Sequence, residues 1–360
     1  MKLFKSAAAL LALSLSTSLN LFADPTLKVG DPAPKLTVGK WVQGDAVKDF
    51  APGKAYVVEF WATWCGPCKV SIPHLNEIHN KFKDKGLIVI GQDCWERDED
   101  LVAPFVKKMA DKMTYRVALD DKEGSEKGKM AVNWMEAAGQ NGIPSAFLVD
   151  TKGRIAWIGH PMEMKEKTIE EVLAGNFDVT KAAKEFAEQE KGKAQLQTVS
   201  MAFSKAMQAK NWDEANTKLD EIEKLLPSDS RDQLVMARFN ILTSKKDMPA
   251  AYKLATDFSE KHKDKSQLIG ALAWQILTDK NIEKPDLEVA EKLAQTASDA
   301  AENKDPAIMD TVARAKFLRG KKEDAIALQT KAVSLATDEM KVELQKTLDS
   351  YKKGELPASK

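Results

Sequence analysis

Residues Ala55–Ala62 read AYVVEFWA, an apolar and aromatic run broken by one glutamate, and three residues later the chain reaches Cys65-Gly66-Pro67-Cys68. A continuous run of this composition, without polar alternation, fits a central strand covered on both faces. Such a strand needs neighbours on either side and helices above and below it, so the run imposes an α/β layer on its surroundings. The two thiols then stand at the start of the next element, Pro67–Phe82, where Val70, Ile72, Leu75 and Ile78 form an apolar helical stripe.

The flanking sequence continues the alternation. Leu87–Gly91 (LIVIG) reads as a second buried strand, and Asp98–Met109 as a helix capped by Asp98 with Leu101, Val102, Phe105 and Val106 facing inward. Met130–Ala138 reads as a short helix. Ser145–Val149 and Ile155–Ile158 are strands joined by a turn at Asp150–Gly153, and Lys165–Leu173 is a last helix. From about Leu27 to Leu173 the expectation is therefore an α/β fold with a mixed sheet.

After Gly175 the strand signals vanish and helical periodicity runs to about Tyr351. Four helix pairs can be read: Gln195–Ala209 with Asp213–Leu226, Arg231–Ser244 with Pro249–His262, Gln267–Asp279 with Asp286–Glu302, and Pro306–Leu318 with Lys322–Thr337. A closing helix covers Met340–Tyr351. Ala215, Ala251, Ala290 and Ala325 recur early in each second helix, near the 34-residue period of tetratricopeptide repeats, which the last pair resembles best. The expected divisions are a signal peptide at 1–23, an α/β domain at 24–176 and an all-α helical-repeat domain at 177–360.

The N-terminus combines two lysines in Met1–Lys5, an uncharged run Ser6–Phe22 too short for a bilayer span, and a small residue at Ala23. These are the marks of a secretory signal, so the chain is expected to be exported, periplasmic or otherwise, and soluble after cleavage. Lysine plus arginine and aspartate plus glutamate balance at 54 each, which argues against a nucleic-acid partner.

An exported chain of 360 residues with three cysteines is not a disulfide-stapled scaffold. Redox chemistry or metal remains for the C-x-x-C pair. His74 and His79 are five apart on a helix and do not share a face, so zinc is not expected. The methionines of His160–Met164 make a weak case for copper, and no metal or cofactor is assigned. At a helix start, unpaired N–H groups and the dipole favour a thiolate at Cys65, leaving Cys68 to resolve the mixed disulfide. Pro67 is tolerated in a first helical turn. Cys94, at the end of the second strand, is expected to be a buried free thiol.

The motif Trp64-Cys-Gly-Pro-Cys68 behind Val58-Glu-Phe-Trp-Ala-Thr63 resembles the thioredoxin superfamily, and residues of about 27–173 resemble its exported TlpA/ResA-type thiol–disulfide oxidoreductases. Gly30-Asp-Pro-Ala-Pro34, Gly142-Ile143-Pro144 and the Asp150–Gly153 hairpin belong to the same likeness. The resemblance implies a thioredoxin fold with a cis Pro144 facing the disulfide. It implies that Trp64, Gly66, Pro67, Ile143 and Pro144 contact substrate, and that Glu59 is a buried acid relaying the proton of Cys68. One position departs from the ResA pattern: Ser71 stands where those reductases carry an acid. Gly-Pro between the cysteines is similar to the reducing thioredoxins, near −270 mV. The implied partners are exported disulfide-containing proteins, a membrane electron donor and an unknown protein docked on the helical repeats.

Two other classes fit less well. A thiol peroxidase (peroxiredoxin-like) needs a proline seven residues before its cysteine, where this chain has Val58. A redox-regulated interaction scaffold would place the function in the repeats.

Overall fold

The computed structural model describes residues 25–357. The expected signal segment, 1–23, lies outside the described residues. The chain separates into two compact units, divided between Lys191 and Gly192.

In the first unit six strands form one mixed sheet: β1 (Val38–Gln43), β2 (Ala55–Trp61), β3 (Leu87–Asp93), β4 (Arg116–Asp120), β5 (Ser145–Val149) and β6 (Ile155–Gly159), in the order β1-β4-β3-β2-β5-β6. β2 pairs parallel with β3 and β3 with β4, while β1, β5 and β6 pair antiparallel with β4, β2 and β5. All of β2 is buried, as its composition demands. The pleat divides it between two cores. Ala55, Val57 and Trp61 face helix α1 (Gly66–Phe82), and Tyr56, Val58 and Phe60 face the other side with Trp134 and Phe147. Glu59 has the parity of the first set, which aims it at α1.

Helix α1 buries Ile72, Leu75, Ile78 and Phe82 on the sheet. At about 1.5–3 kcal/mol per buried large side chain, this stripe holds the helix in place. Val70, expected in the stripe, is instead 67% exposed, because its position in the turn rotates it away from the sheet. Helix α2 (Val102–Met109) follows a single 3₁₀ turn, Glu99–Leu101, and Asp98 caps that turn by accepting from Asp100 N. Leu101 is 52% exposed, whereas Val102 and Val106 are buried. Residues Ala131–Glu136, expected as an ordinary helix, are wound as a π-helix, with Asp120 accepting from Met130 N and Ala131 N at its start. The opening segment lies beside β6: Gly30 N donates to Ile155 O, and Ile155 N to Asp31 O. Helix α3 (Glu166–Leu173) completes the layer.

Helix α4 (Val179–Gln208) begins just after the expected domain boundary at 176/177. Its first turns pack Val179, Ala182, Ala183 and Phe186 on the core that contains Trp134, so they belong to the first unit.

In the second unit α5 (Trp212–Leu225), α6 (Leu234–Ser244), α7 (Met248–Lys261), α8 (Ser266–Thr278), α9 (Leu287–Ala300), α10 (Pro306–Leu318), α11 (Lys322–Leu335) and α12 (Asp338–Lys353) follow in antiparallel-style pairs with short turns. Four of the turns share one form. Lys210, Lys246, Glu302 and Gly320 adopt positive φ (56°, 63°, 54° and 79°). The next residue donates back to a carbonyl five positions earlier: Asn211 to Ala206, Asp247 to Leu242, Asn303 to Ser298 and Lys321 to Lys316. This is the Schellman helix end, with Asn211 and Asp247 also capping the following helix. The early alanines Ala215, Ala251, Ala290 and Ala325 are all fully buried, which lets neighbouring helices approach closely. Among the described residues no helix is long and apolar enough to cross a membrane.

Candidate active site

Helix α1 starts at the C-terminal edge of β2, so Cys65 falls at its N-cap with extended backbone (φ −78°, ψ 106°). Its sulfur accepts from Cys68 N at 3.1 Å. That unpaired helical N–H, with the dipole behind it, is where a sulfur anion is best stabilised. Cys65 and Cys68 are joined in a disulfide. Cys65 is only 3% exposed, less open than a nucleophile at a helix tip is expected to be, but Cys68 is wholly covered. Cys65 is therefore the outer sulfur of the pair.

The rim carries the expected contact residues. Trp64 is 45% exposed, its indole N–H donating to Trp95 O at 3.1 Å and Arg97 lying over its ring. Gly66 and Pro67 are exposed, and Pro67 occupies the first turn of α1. The Ile143–Pro144 bond is cis, and Ile143 O lies 3.7 Å from the sulfur of Cys65. Exposed Trp64 and Pro67 flank Cys65 in sequence, and the Ile143 carbonyl meets its sulfur.

Beneath the disulfide, Glu59 is fully buried. Its Oε1 accepts from Ser71 Oγ at 3.0 Å and its Oε2 from Tyr115 Oη at 3.2 Å. Burial pushes its pKa from 4.5 up to about 8, and the two hydrogen bonds only partly pull it back. Ser71 Oγ also lies 3.1 Å from Cys68 O, so this network reaches the turn that carries Cys68. Gly91 opposes Glu59 across the sheet, and a side chain there would meet Tyr115 and Trp61 at about the closest tolerable distances, 3.0 and 3.1 Å.

Three acidic or phenolic groups near the pair carried no sequence signal. Tyr115 precedes a strand that the apolar pattern does not mark. Asp93 pairs in register with Trp61, on the Glu59 side of the sheet; burial and the neighbouring Glu96 carboxylate push it up to about 9. Glu96 accepts from Thr63 N at 2.7 Å and Arg97 N at 3.0 Å, fixing the loop before Cys65. Cys94 is buried among the residues of the opposite core, and burial raises its thiol well above the ordinary range. It is not placed or ionised as a nucleophile.

The Redoxin family model matches residues 28–173. The chain is 31% identical over 158 residues to Protein FixW of Rhizobium leguminosarum, covering 42% of this chain and 69% of that protein. It is 33% identical over 133 residues to the thiol-disulfide oxidoreductase ResA of Bacillus thuringiensis subsp. konkukian (36% and 68%). Over 134 residues it is 33% identical to the thiol:disulfide interchange protein HelX of Rhodobacter capsulatus (36% and 67%). Among solved structures, a thiol-disulfide isomerase from Corynebacterium glutamicum is similar at 22% identity, with a TM-score of 0.35, over 41% of this chain and 97% of that one. A disulfide closed between Cys65 and Cys68 at a helix start, on a mixed six-stranded sheet, in a sequence with these relatives, identifies the chain as a member of the redoxin family, a TlpA/ResA-type thiol–disulfide oxidoreductase.

Proposed function

We propose that the chain works as an exported reductase or isomerase of protein disulfides, and that its helical unit docks the partner. The Cys65 thiolate attacks a substrate disulfide, forming the Cys65 mixed disulfide and expelling one substrate thiolate. Cys68 then loses its proton to Glu59 and attacks Cys65 Sγ, so the mixed disulfide breaks, Cys65–Cys68 closes and the second substrate thiolate leaves. Two thiols have become a disulfide and the substrate has gained both electrons. A membrane electron donor then reduces the pair again. The observation that supports Glu59 as the acceptor is its burial on the Cys68 side of α1, with a proton affinity close to that of a thiol, where proton transfer is nearly balanced. Trp64, Gly66, Pro67, Ile143 and Pro144 form the surface that holds the extended substrate.

The docking role follows from what the second unit offers. Its helix pairs repeat one turn geometry from Lys210 to Lys246, a 36-residue step close to the tetratricopeptide period. Stacks of this kind present an extended face without chemistry of their own. A chain ending after Lys191 keeps the α4 residues that complete the first core, unlike one ending at Gly175. The chain ending after Lys191 is expected to reduce insulin with dithiothreitol at the full rate, yet fail to retain the partners that full-length Cys68→Ser traps as mixed disulfides. Loss of insulin reduction with the first unit folded, or unchanged retention of those partners, would overturn the docking role.

A further inference from the structure

Ser71 has one hydroxyl hydrogen and two acceptors within reach: Glu59 Oε1 at 3.0 Å and Cys68 O at 3.1 Å. A serine hydroxyl donates only once, while its oxygen can also accept. The arrangement therefore has two complete hydrogen-bonding states. With Glu59 ionised, Ser71 and Tyr115 both donate to the carboxylate, and Cys68 O loses its serine partner. With Glu59 protonated, its own O–H donates to Ser71 Oγ, Ser71 turns to Cys68 O, and Tyr115 still donates to Oε2. Every hydroxyl hydrogen of the network is placed in both states, which is what a fully buried set of donors requires.

We propose that Ser71 is a positioning residue that couples the protonation of Glu59 to the Cys68 turn, its single hydroxyl proton turning from the carboxylate to the Cys68 carbonyl as Glu59 takes up a proton. The coupling rests on the reading of Glu59 as the proton acceptor for Cys68. When the S–H bond of Cys68 breaks and the O–H bond of Glu59 forms, the hydroxyl rotates and no further proton is consumed. Ser71 thus supplies the ionised acid with a donor, at the position where the ResA pattern places an acid. A neutral residue there avoids the like-charge repulsion that a second carboxylate would bring to Glu59.

Other titratable groups face this network. Tyr115 donates to it from the segment before β4, and burial and Glu59 hold its phenol far above the ordinary range. His79, on α1 with its ring 6.3 Å from that of Tyr115, is held down by burial. Asp93, at the end of β3, is raised to about 9, and Cys94 lies across the sheet. Because Asp93 titrates in the same alkaline range as Glu59, the acid must be read by itself.

The measurement is the carboxyl ¹³C shift of Glu59 in the reduced full chain labelled with ¹³C-glutamate, the signal being assigned by its loss in Glu59→Gln. Ser71→Ala removes a donor to the anion and is expected to raise the Glu59 midpoint by about one pH unit. The alkaline rise in the release of Cys65 mixed disulfides moves with it. Ser71→Thr restores the hydroxyl and both values. Alanine is the best helix former, so the variant tests the hydroxyl rather than the helix. If Glu59→Gln leaves the pH dependence of release unchanged, Glu59 is not the acceptor. If Glu59→Gln abolishes it but Ser71→Ala leaves the Glu59 midpoint where it was, the coupling through Ser71 is wrong.

Discussion

Each unit of the protein buries a cluster of polar side chains, and the two clusters are completed differently. In the redox unit Glu59, Ser71 and Tyr115 close a circuit in which every group has a partner. In the helical unit Asp310, Arg314, Gln329 and Tyr351 come together from α10, α11 and α12. There Asp310 Oδ1, Arg314 Nε, Gln329 Oε1 and Tyr351 Oη have no hydrogen-bond partner among the described residues. Arg314 lies over the Trp274 ring, 5.4 Å from its centroid, and Asp310 is pushed up to about 6 by burial despite Gln329 and the Arg314 charge. An unmade buried hydrogen bond costs more than a made one returns. The first cluster thus leaves no hydroxyl unpaired, whereas the second sets an acid and a cation among buried polar atoms that lack partners among the described residues.

The largest effect separating them is the pH dependence of stability. Glu59 favours its proton in the folded chain, with a midpoint of about 8 against an ordinary 4.5. Below 4.5 both folded and unfolded chains hold this proton. Between 4.5 and 8 only the folded chain does, so stability is lost as the pH rises through that window, by about 4 kcal/mol, and levels off above it. Glutamine at 59 can donate to Ser71 and accept from Tyr115, imitating the protonated acid. Glu59→Gln should therefore flatten the pH 5–9 stability profile of the oxidised chain and exceed wild type at pH 9. Equal urea-unfolding profiles for the two proteins would show that Glu59 ionises without penalty. Asp93, which has the same sign, remains in both and cancels in the comparison.

A smaller effect is expected in the helical cluster. Arg314→Met keeps the stem of the side chain but removes the cation beside Asp310. Removing an opposite charge several ångströms from a buried carboxylate is expected to cost about 2 kcal/mol. The burial-raised carboxyl of Asp310 should then rise further above 6, so the deficit is largest at pH 7–8 and shrinks by pH 5, where the acid is neutral. A deficit that does not change across that range would mean that Asp310 and Arg314 do not compensate one another, and that lost packing on Trp274 accounts for it.

The contrast also shows what was legible in the sequence. β2 and α1 could be read because burial on both faces leaves a continuous apolar run, and because the C-x-x-C pair fixes where the helix starts. β1 could not: it is a half-exposed edge strand containing Gly39 and Lys40, so neither alternation nor an apolar run marks it. β4 is buried but only five residues long, with alanine at its centre. Missing β4 meant missing Tyr115, which reaches Glu59 from 56 positions away. Glu59 was legible because a lone acid in a buried strand contradicts its surroundings. In sequence Ser71 stands out only as a departure from the ResA pattern, because a serine on a helix face is unremarkable until its two acceptors are known. In the helical unit, buried alanines and short turns revealed the pairing. The polar cluster was invisible, since Asp310, Arg314, Gln329 and Tyr351 look in sequence like residues of a solvated face.

The smallest expected effect tests the distinction between the clusters most directly, because it removes the same atom from each. Tyr351 stacks on Phe317 with ring centroids 4.4 Å apart, and phenylalanine keeps that contact while deleting an oxygen without a partner among the described residues. Deleting an unsatisfied buried hydroxyl removes a desolvation cost and no bond, so Tyr351→Phe should change stability by less than about 0.5 kcal/mol or raise it slightly. Tyr115→Phe deletes a hydroxyl that donates to Glu59, so it should cost about 1 kcal/mol. That cost should grow from pH 6 to pH 9, because the lost bond matters most to the ionised acid and the Glu59 midpoint rises with its loss. Urea unfolding of the two variants at both pH values decides the matter. A Tyr351→Phe penalty as large as that of Tyr115→Phe would mean that the helical cluster is hydrogen-bonded in solution, and the contrast between the units would fail.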